Sequence, residues 1–164
     1  MLTLHLIRHA KSAWGHEQLD DHDRPLNKRG LRDAPSMARL LFKQSSCPKT
    51  WLCSSALRTK TTAHFFAQEA TFPENEIIYS PELYLASYSK MLELINGIDD
   101  QSDQAIIFGH NNGISDLVSM LVNESIQMPT CSIATITFEL ESWKHVSIGL
   151  GTLFQFNYPK QHEL

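Results

Sequence analysis

Residues 2–12, LTLHLIRHAKS, decide how the rest of the chain is read. Leu2, Leu4 and Leu6 alternate with Thr3 and His5, and Ile7 closes the run as continuously apolar, the pattern of a strand entering a core. Ala10, Lys11 and Ser12 then read as a loop. Arg8 and His9 therefore stand where a strand surfaces, and in open α/β sheets the carboxyl ends of strands are where ligands bind. On a regular strand the two side chains would point to opposite faces. For both to reach one ligand, the strand must end at or just before His9.

Outward from this stretch, β-type apolar runs recur at 50–54, 105–109 and 133–139, with a weaker one near 152–157. Segments of helical spacing separate them. Residues 27–43 place Leu31, Ala34, Ala38 and Leu41 on one face, with Pro35 expected to kink or restart the helix. Residues 56–69 carry Leu57, Ala63, Phe65 and Phe66, and residues 87–97 carry Tyr88, Met91, Leu92 and Ile95. Residues 113–122 carry Ile114, Leu117, Val118 and Leu121. Strands alternating with helices predict an α/β fold with a largely parallel sheet covered on both faces. The closer spacing of the last strands predicts an antiparallel edge.

The 164 residues suit a single domain over 1–164, and no repeat, linker or low-complexity tract divides them. A net charge of -4 argues against a nucleic-acid-binding surface but leaves room for a local basic pocket. No apolar run approaches a membrane span, and the N-terminus lacks the pattern of a signal peptide. Cys47, Cys53 and Cys131 have no paired spacing, which points to a reducing cytoplasm. CxxC is absent and no set of Cys and His reads as a metal site, so neither metal nor cofactor is expected. No exposed heptad or amphipathic stretch calls for a partner subunit, so a monomer is expected.

Three strand ends share one character. The first gives Arg8-His9. The second, TWLCSS, leads into SALRTKTTA, where Ser54 or Ser55 can cap a helix presenting Arg58 on its first turn. The third, AIIFGH, ends in Gly109-His110 before the turn Asn111-Asn112-Gly113. Any one of these is commonplace. Together they converge two arginines and two histidines on one sheet edge beside two helix N-termini, which favour anions. The natural ligand is a small dianion, most simply a phosphoryl group.

The succession RHAKS, DRPLNKRG, SSALRTKTTA, ELY and FGHNNG, spread over most of the chain, resembles the histidine phosphatase (phosphoglycerate mutase-like) superfamily, in its compact SixA-like branch of phosphohistidine phosphatases. The resemblance implies a three-layer α-β-α sandwich with a mostly parallel sheet. It implies His9 as the nucleophile forming a phosphohistidine intermediate, with Arg8, Arg58 and His110 holding the phosphoryl oxygens and no metal. It places Glu82 near the position of an acid that protonates the leaving group, with Asp21 and His22 of LDDHDRPL as rivals. Ser12 and Asn112 are further candidates to donate to phosphate oxygens. Asp23-Arg24-Pro25-Leu26 reads as structural, with Arg24 bracing the acidic loop and Leu26 packing inward. Two departures stand out: NNG where relatives often read NPG, and Cys131 in PTCS where the branch tends to PTGA.

The short intervals between motifs leave no room for a lid. An open pocket favours a phosphohistidine protein as substrate over a small phosphate ester. Both remain expectations, alongside a phosphate-binding module without turnover, against which His9 argues because a pure binder gains more from a third arginine.

Overall fold

A computed structural model describes residues 1–162. One six-stranded sheet organises them: β1 (Leu2–Arg8), β2 (Thr50–Ser54), β3 (Ile78–Ser80), β4 (Gln104–Gly109), β5 (Ile133–Phe138) and β6 (Thr152–Asn157). Their order is β3-β2-β4-β1-β5-β6. The first four run parallel, and β5 and β6 add an antiparallel edge. Helices α1 (Lys28–Gln44), α2 (Leu57–Ala70), α3 (Tyr88–Asn96) and α4 (Gly113–Val122) alternate with the parallel strands.

The period-2 alternation of the strands sorts the core into two layers. Leu2, Leu4 and Leu6 of β1 and Ala105 and Ile107 of β4 pack on one face with Met91 and Ile95 of α3 and the 114, 117, 118 and 121 positions of α4. Ile7, Trp51, Ile106 and Phe108 pack on the other with Ala34, Met37, Ala38 and Leu41 of α1 and Ala63 and Phe66 of α2. The result is an α-β-α sandwich with β1 and β4 buried at its centre. No helix among the described residues is long and apolar enough to cross a membrane.

The helices differ from expectation in detail. α1 continues through Pro35, because capping of its start by Asn27, whose Oδ1 accepts from Gly30 N at 2.9 Å, and burial of Ala34, Met37 and Ala38 outweigh the missing N–H. Leu31 and Leu57 lie exposed, outside the apolar faces to which their spacing assigned them. Strand β3 was not expected: Ile78 and Tyr79 are exposed at the sheet edge, so its three residues carry no burial signal. Gly30 is required by close approach, since a Cβ there would lie 2.2 Å from the Lys11 carbonyl oxygen. That contact locks α1 against the loop that follows β1.

His5 lies in the middle of β1 with 1% exposure, its Nδ1 2.9 Å from Thr135 Oγ1 and its Nε2 without a partner. Burial pushes its pKa from 6.5 down to about 4. The unfolded chain protonates this ring near 6.5, so its contribution to stability is complete above that pH and is lost as pH falls towards 4. His5→Leu is expected to show about 2–3 kcal/mol less destabilisation between pH 7 and pH 4.5 than the wild type. Urea unfolding at both pH values measures it; an unchanged pH slope would remove His5 from the acid sensitivity of the fold.

Candidate active site

β1 ends at Arg8, as the opening stretch requires, and the chain is pinned there from both sides. His9 N–H donates to Gly109 O at 3.1 Å, and Cys131 N–H is shared between Arg8 O at 3.1 Å and His9 O at 3.0 Å. Cys131 adopts φ 62, the left-handed region that favours glycine, with its side chain fully buried. On the α2 side, Ala10 N–H donates to Thr62 Oγ1, which in turn donates to Arg58 O. With strand geometry ended, Arg8 and His9 both line one cavity of about 240 Å³.

His9 is 6% exposed, and its Nδ1 lies 2.7 Å from Ala10 O. A carbonyl only accepts, so Nδ1 carries the proton and Nε2 keeps a lone pair. Burial drives the ring's pKa down to about 3; the bond to Ala10 opposes this, and the charges of Arg58, Arg8 and Arg24 reinforce it. His9 is therefore a neutral, oriented imidazole at physiological pH.

His110, 2% exposed, stands beside it with ring centroids 5.3 Å apart. Its Nε2 is 2.7 Å from Ser54 Oγ, which also accepts from Ala56 N–H. Burial, with His9 and Arg58 nearby, lowers its pKa to about 3. His110 is therefore neutral at physiological pH, and the positive charge of the site comes from Arg8, Lys11, Arg24 and Arg58 rather than from its histidines. Four buried side-chain polar atoms among the described residues lack a partner: His5 Nε2, Arg8 Nε, Arg58 Nε and His110 Nδ1. The last three belong to residues that line this one cavity. The two arginine Nε atoms are obligate donors.

Asp21 is the hub that orders the cations. Arg58, 2% exposed, donates from Nη1 to Asp21 O at 2.6 Å and from Nη2 to Asp21 Oδ2 at 3.0 Å. Arg24 donates from Nε to Asp21 Oδ1 at 3.0 Å and from Nη1 to Ser12 Oγ at 2.8 Å, with its guanidinium 3.8 Å above the Trp14 ring. The Tyr84 hydroxyl also donates to Asp21 Oδ2. Burial alone would raise the Asp21 carboxyl. The hydrogen bonds from Tyr84 and Arg58, the Arg58 charge and the bond from Arg24 outweigh it and hold the group well below the usual carboxylate range. Asp21 anchors Arg58 through both its backbone carbonyl and its carboxylate.

Arg8, His9, Arg58, His110 and Ser12 gather around the cavity; Glu82 and Asn112 do not line it. Glu82 sits in a short 3-10 turn over Pro81–Leu83 that buries Leu83, so its carboxylate turns to solvent, 4.0 Å from Lys90 Nζ. Tyr84, two residues on, faces the site instead. Asn112 stands at the start of α4, while Asn111 lines the cavity and accepts from Ser115 through its side chain. His22 lies just outside, with Nε2 2.8 Å from Ser55 Oγ and its ring edge-on to Tyr84. Ser54 and Ser55 both serve histidines, and neither caps α2, whose N-cap is Ala56. Lys11, Trp14, Tyr84 and Asn111 were missed by sequence reasoning. Lys11 in RHAKS, Tyr84 in ELY and Asn111 in FGHNNG stand inside motifs that could have flagged them, whereas Trp14 carries no such signal. Among the described residues, no group of three or more His, Cys, Asp or Glu gathers as a ligand set for a metal.

The family model described as histidine phosphatase superfamily (branch 1) matches residues 4–84, which contain Arg8, His9, Asp21 and Arg58. An uncharacterised chloroplastic protein of Arabidopsis thaliana is 34% identical over 147 residues, spanning 85% of this chain and 67% of that protein. An uncharacterised protein of Mycobacterium tuberculosis is 31% identical over 166 residues, spanning 94% of this chain and 100% of that one. In fold, the chain matches a solved structure of the protein histidine phosphatase SixA complexed with tungstate, with a TM-score of 0.83 at 20% identity, over 98% of this chain and 99% of that one.

Proposed function

Because the chain belongs to the histidine phosphatase superfamily, we propose that it is a metal-independent phosphatase that removes the phosphoryl group from a phosphohistidine protein through an intermediate on His9. The observation that carries this reading is the gathering of Arg8, Arg58 and His110 in one cavity around a neutral imidazole whose Nε2 is unprotonated. A phosphoryl group in that cavity presents acceptor oxygens to the two guanidinium groups. The fold it shares with a protein histidine phosphatase that holds tungstate, a tetrahedral oxyanion, supports the same ligand.

His9 Nε2 attacks phosphorus while the bond from phosphorus to the substrate nitrogen breaks, and the departing imidazole takes a proton from water. Water then attacks the phosphorylated His9, releasing inorganic phosphate and restoring the ring. Arg8 and Arg58 neutralise the equatorial oxygens with charge-assisted hydrogen bonds, and their fixed placement needs no reorganisation as charge shifts.

The choice of phosphohistidine over a phosphate ester rests on protons. An ester's alkoxide leaving group demands a general acid, whereas a phosphoramidate nitrogen is easily protonated. Asp21 is held ionised by Arg58, Arg24 and Tyr84, and Glu82 faces away from the cavity. Phosphate release from a phosphohistidine protein and from a phosphoserine peptide, both in chelator, tests this. Fast release from the first and slow release from the second is expected; the reverse order would assign a small-ester or phosphoester activity instead.

A further inference from the structure

Next to the phosphoryl cavity lies a second, larger groove of about 590 Å³ that shares Arg8, Lys11 and Thr130 with it. Its charge is one-sided. Arg8 and Lys11 come from the end of β1, Arg29 and Arg32 from the start of α1, and Lys160 from the segment after β6. The one carboxylate is Asp33, 2% exposed, with Arg32 3.1 Å and Arg29 3.8 Å away. Five cations against one buried, paired anion leave a surplus of four positive charges, in a chain whose net charge is -4. Tyr158 and Pro159 form an apolar wall of the same groove.

We propose that this groove docks an acidic segment of the phosphoprotein, carboxylate side chains lying beside the phosphohistidine that enters the adjoining cavity. This rests on the phosphatase reading above and names the chemistry of its partner. The form of the cations favours a protein over a small molecule. Pockets for small ligands use a few convergent, fixed polar groups. Here the Arg29 and Arg32 side chains are 46% and 57% exposed and the cations come from three separate segments, a spread that suits a surface of distributed carboxylates. Exposed charge of this kind governs encounter and orientation more than the chemical step, and it is screened by salt.

The double substitution Arg29→Glu/Lys160→Glu reverses two of the cations and leaves Arg32 on Asp33. Turnover is compared on a phosphohistidine protein with acidic residues flanking the modified histidine and on free phosphohistidine, together with binding of a fluorescent glutamate-rich decapeptide. The expected result is a fall of about tenfold to a hundredfold in kcat/KM on the protein, carried by KM, with weaker salt dependence than in the wild type. Free phosphohistidine should be turned over within about twofold of wild type. The peptide should bind wild type at low salt and lose that binding in the variant.

Equal losses on both substrates, or none on either with no peptide binding, would overturn the docking proposal. A larger loss on a nucleoside diphosphate substrate than on the protein would assign the groove to a second phosphate and overturn it as well. If wild type hydrolyses neither phosphohistidine substrate, the phosphatase reading fails. The peptide measurement then reports on the groove separately, so the two failures are told apart.

Discussion

His9→Ala is expected to lower turnover of a phosphohistidine protein on the order of 10⁴-fold or more, because the variant loses the atom that forms the covalent intermediate. The size follows from what remains. Arg8, Arg58 and His110 would still bind the phosphoryl group, so KM should change little, but water would have to attack a substrate from which no better nucleophile has relieved it. Nothing in the cavity replaces Nε2: the His110 Nε2 is committed to Ser54, and Asp21 is committed to two arginines and Tyr84. Rapid quench of the wild type with labelled substrate should trap an acid-labile, alkali-stable phosphoenzyme that the variant lacks. A variant within about tenfold of wild type would mean that phosphate leaves without passing through His9. The lost ring gives up its bond to the adjacent Ala10 carbonyl and its packing beside His110, so a thermal melt of the variant accompanies the kinetics.

The second large effect concerns Arg58. Arg58→Met keeps the length of the side chain and removes a fixed cation, and it is expected to reduce kcat/KM by about 10²–10³-fold, the range for loss of one preorganised donor. Its partner gives the contrast. Asp21→Asn keeps the shape of the anchor and removes its charge, so Arg58 is held less firmly but stays. A loss of about tenfold, expressed mainly in kcat, is expected. Added guanidinium should partly restore the Arg58→Met variant by occupying the vacated place, and should do nothing for Asp21→Asn. If Asp21→Asn instead lost as much as His9→Ala, with the alkaline side of the pH profile moved, Asp21 would be the proton donor. Its role as an anchor would then be wrong. The dense bonding of the pair, with Asp21 accepting from Arg58 through both backbone and side chain, argues for the anchor.

Local pattern carried the larger part of the architecture. β1, β2 and β4 are each an apolar run bounded by polar turns, and α4 repeats its apolar residues at 114, 117, 118 and 121. Such periods are written in consecutive residues, and burial enforces them. Arg8, His9, Arg58 and His110 were legible for a related reason. Three parallel strands must open their carboxyl ends on the same edge, so charged residues just past three apolar runs converge whatever the loops do.

What the sequence left undecided lies where direction depends on a few backbone angles or on distant neighbours. The turn after β3 could have aimed either Glu82 or Tyr84 at the cavity; burial of Leu83 turned Glu82 outward. The turn after β4 offered two asparagines, and it is Asn111 that lines the cavity. Ser54 and Ser55 look like helix caps in one dimension, yet each sits within 2.8 Å of a histidine ring nitrogen delivered by another segment. Asp21 is one of several acidic residues in a loop until folding sets two arginines and a tyrosine against it. The sequence by itself determined five of the six strands, the site-bearing edge and the four side chains that meet there, because periodicity and strand direction are local. Tertiary structure alone decided the proton positions, the ionised anchor and the basic groove beside the cavity, because those depend on burial and on charges brought together from across the chain.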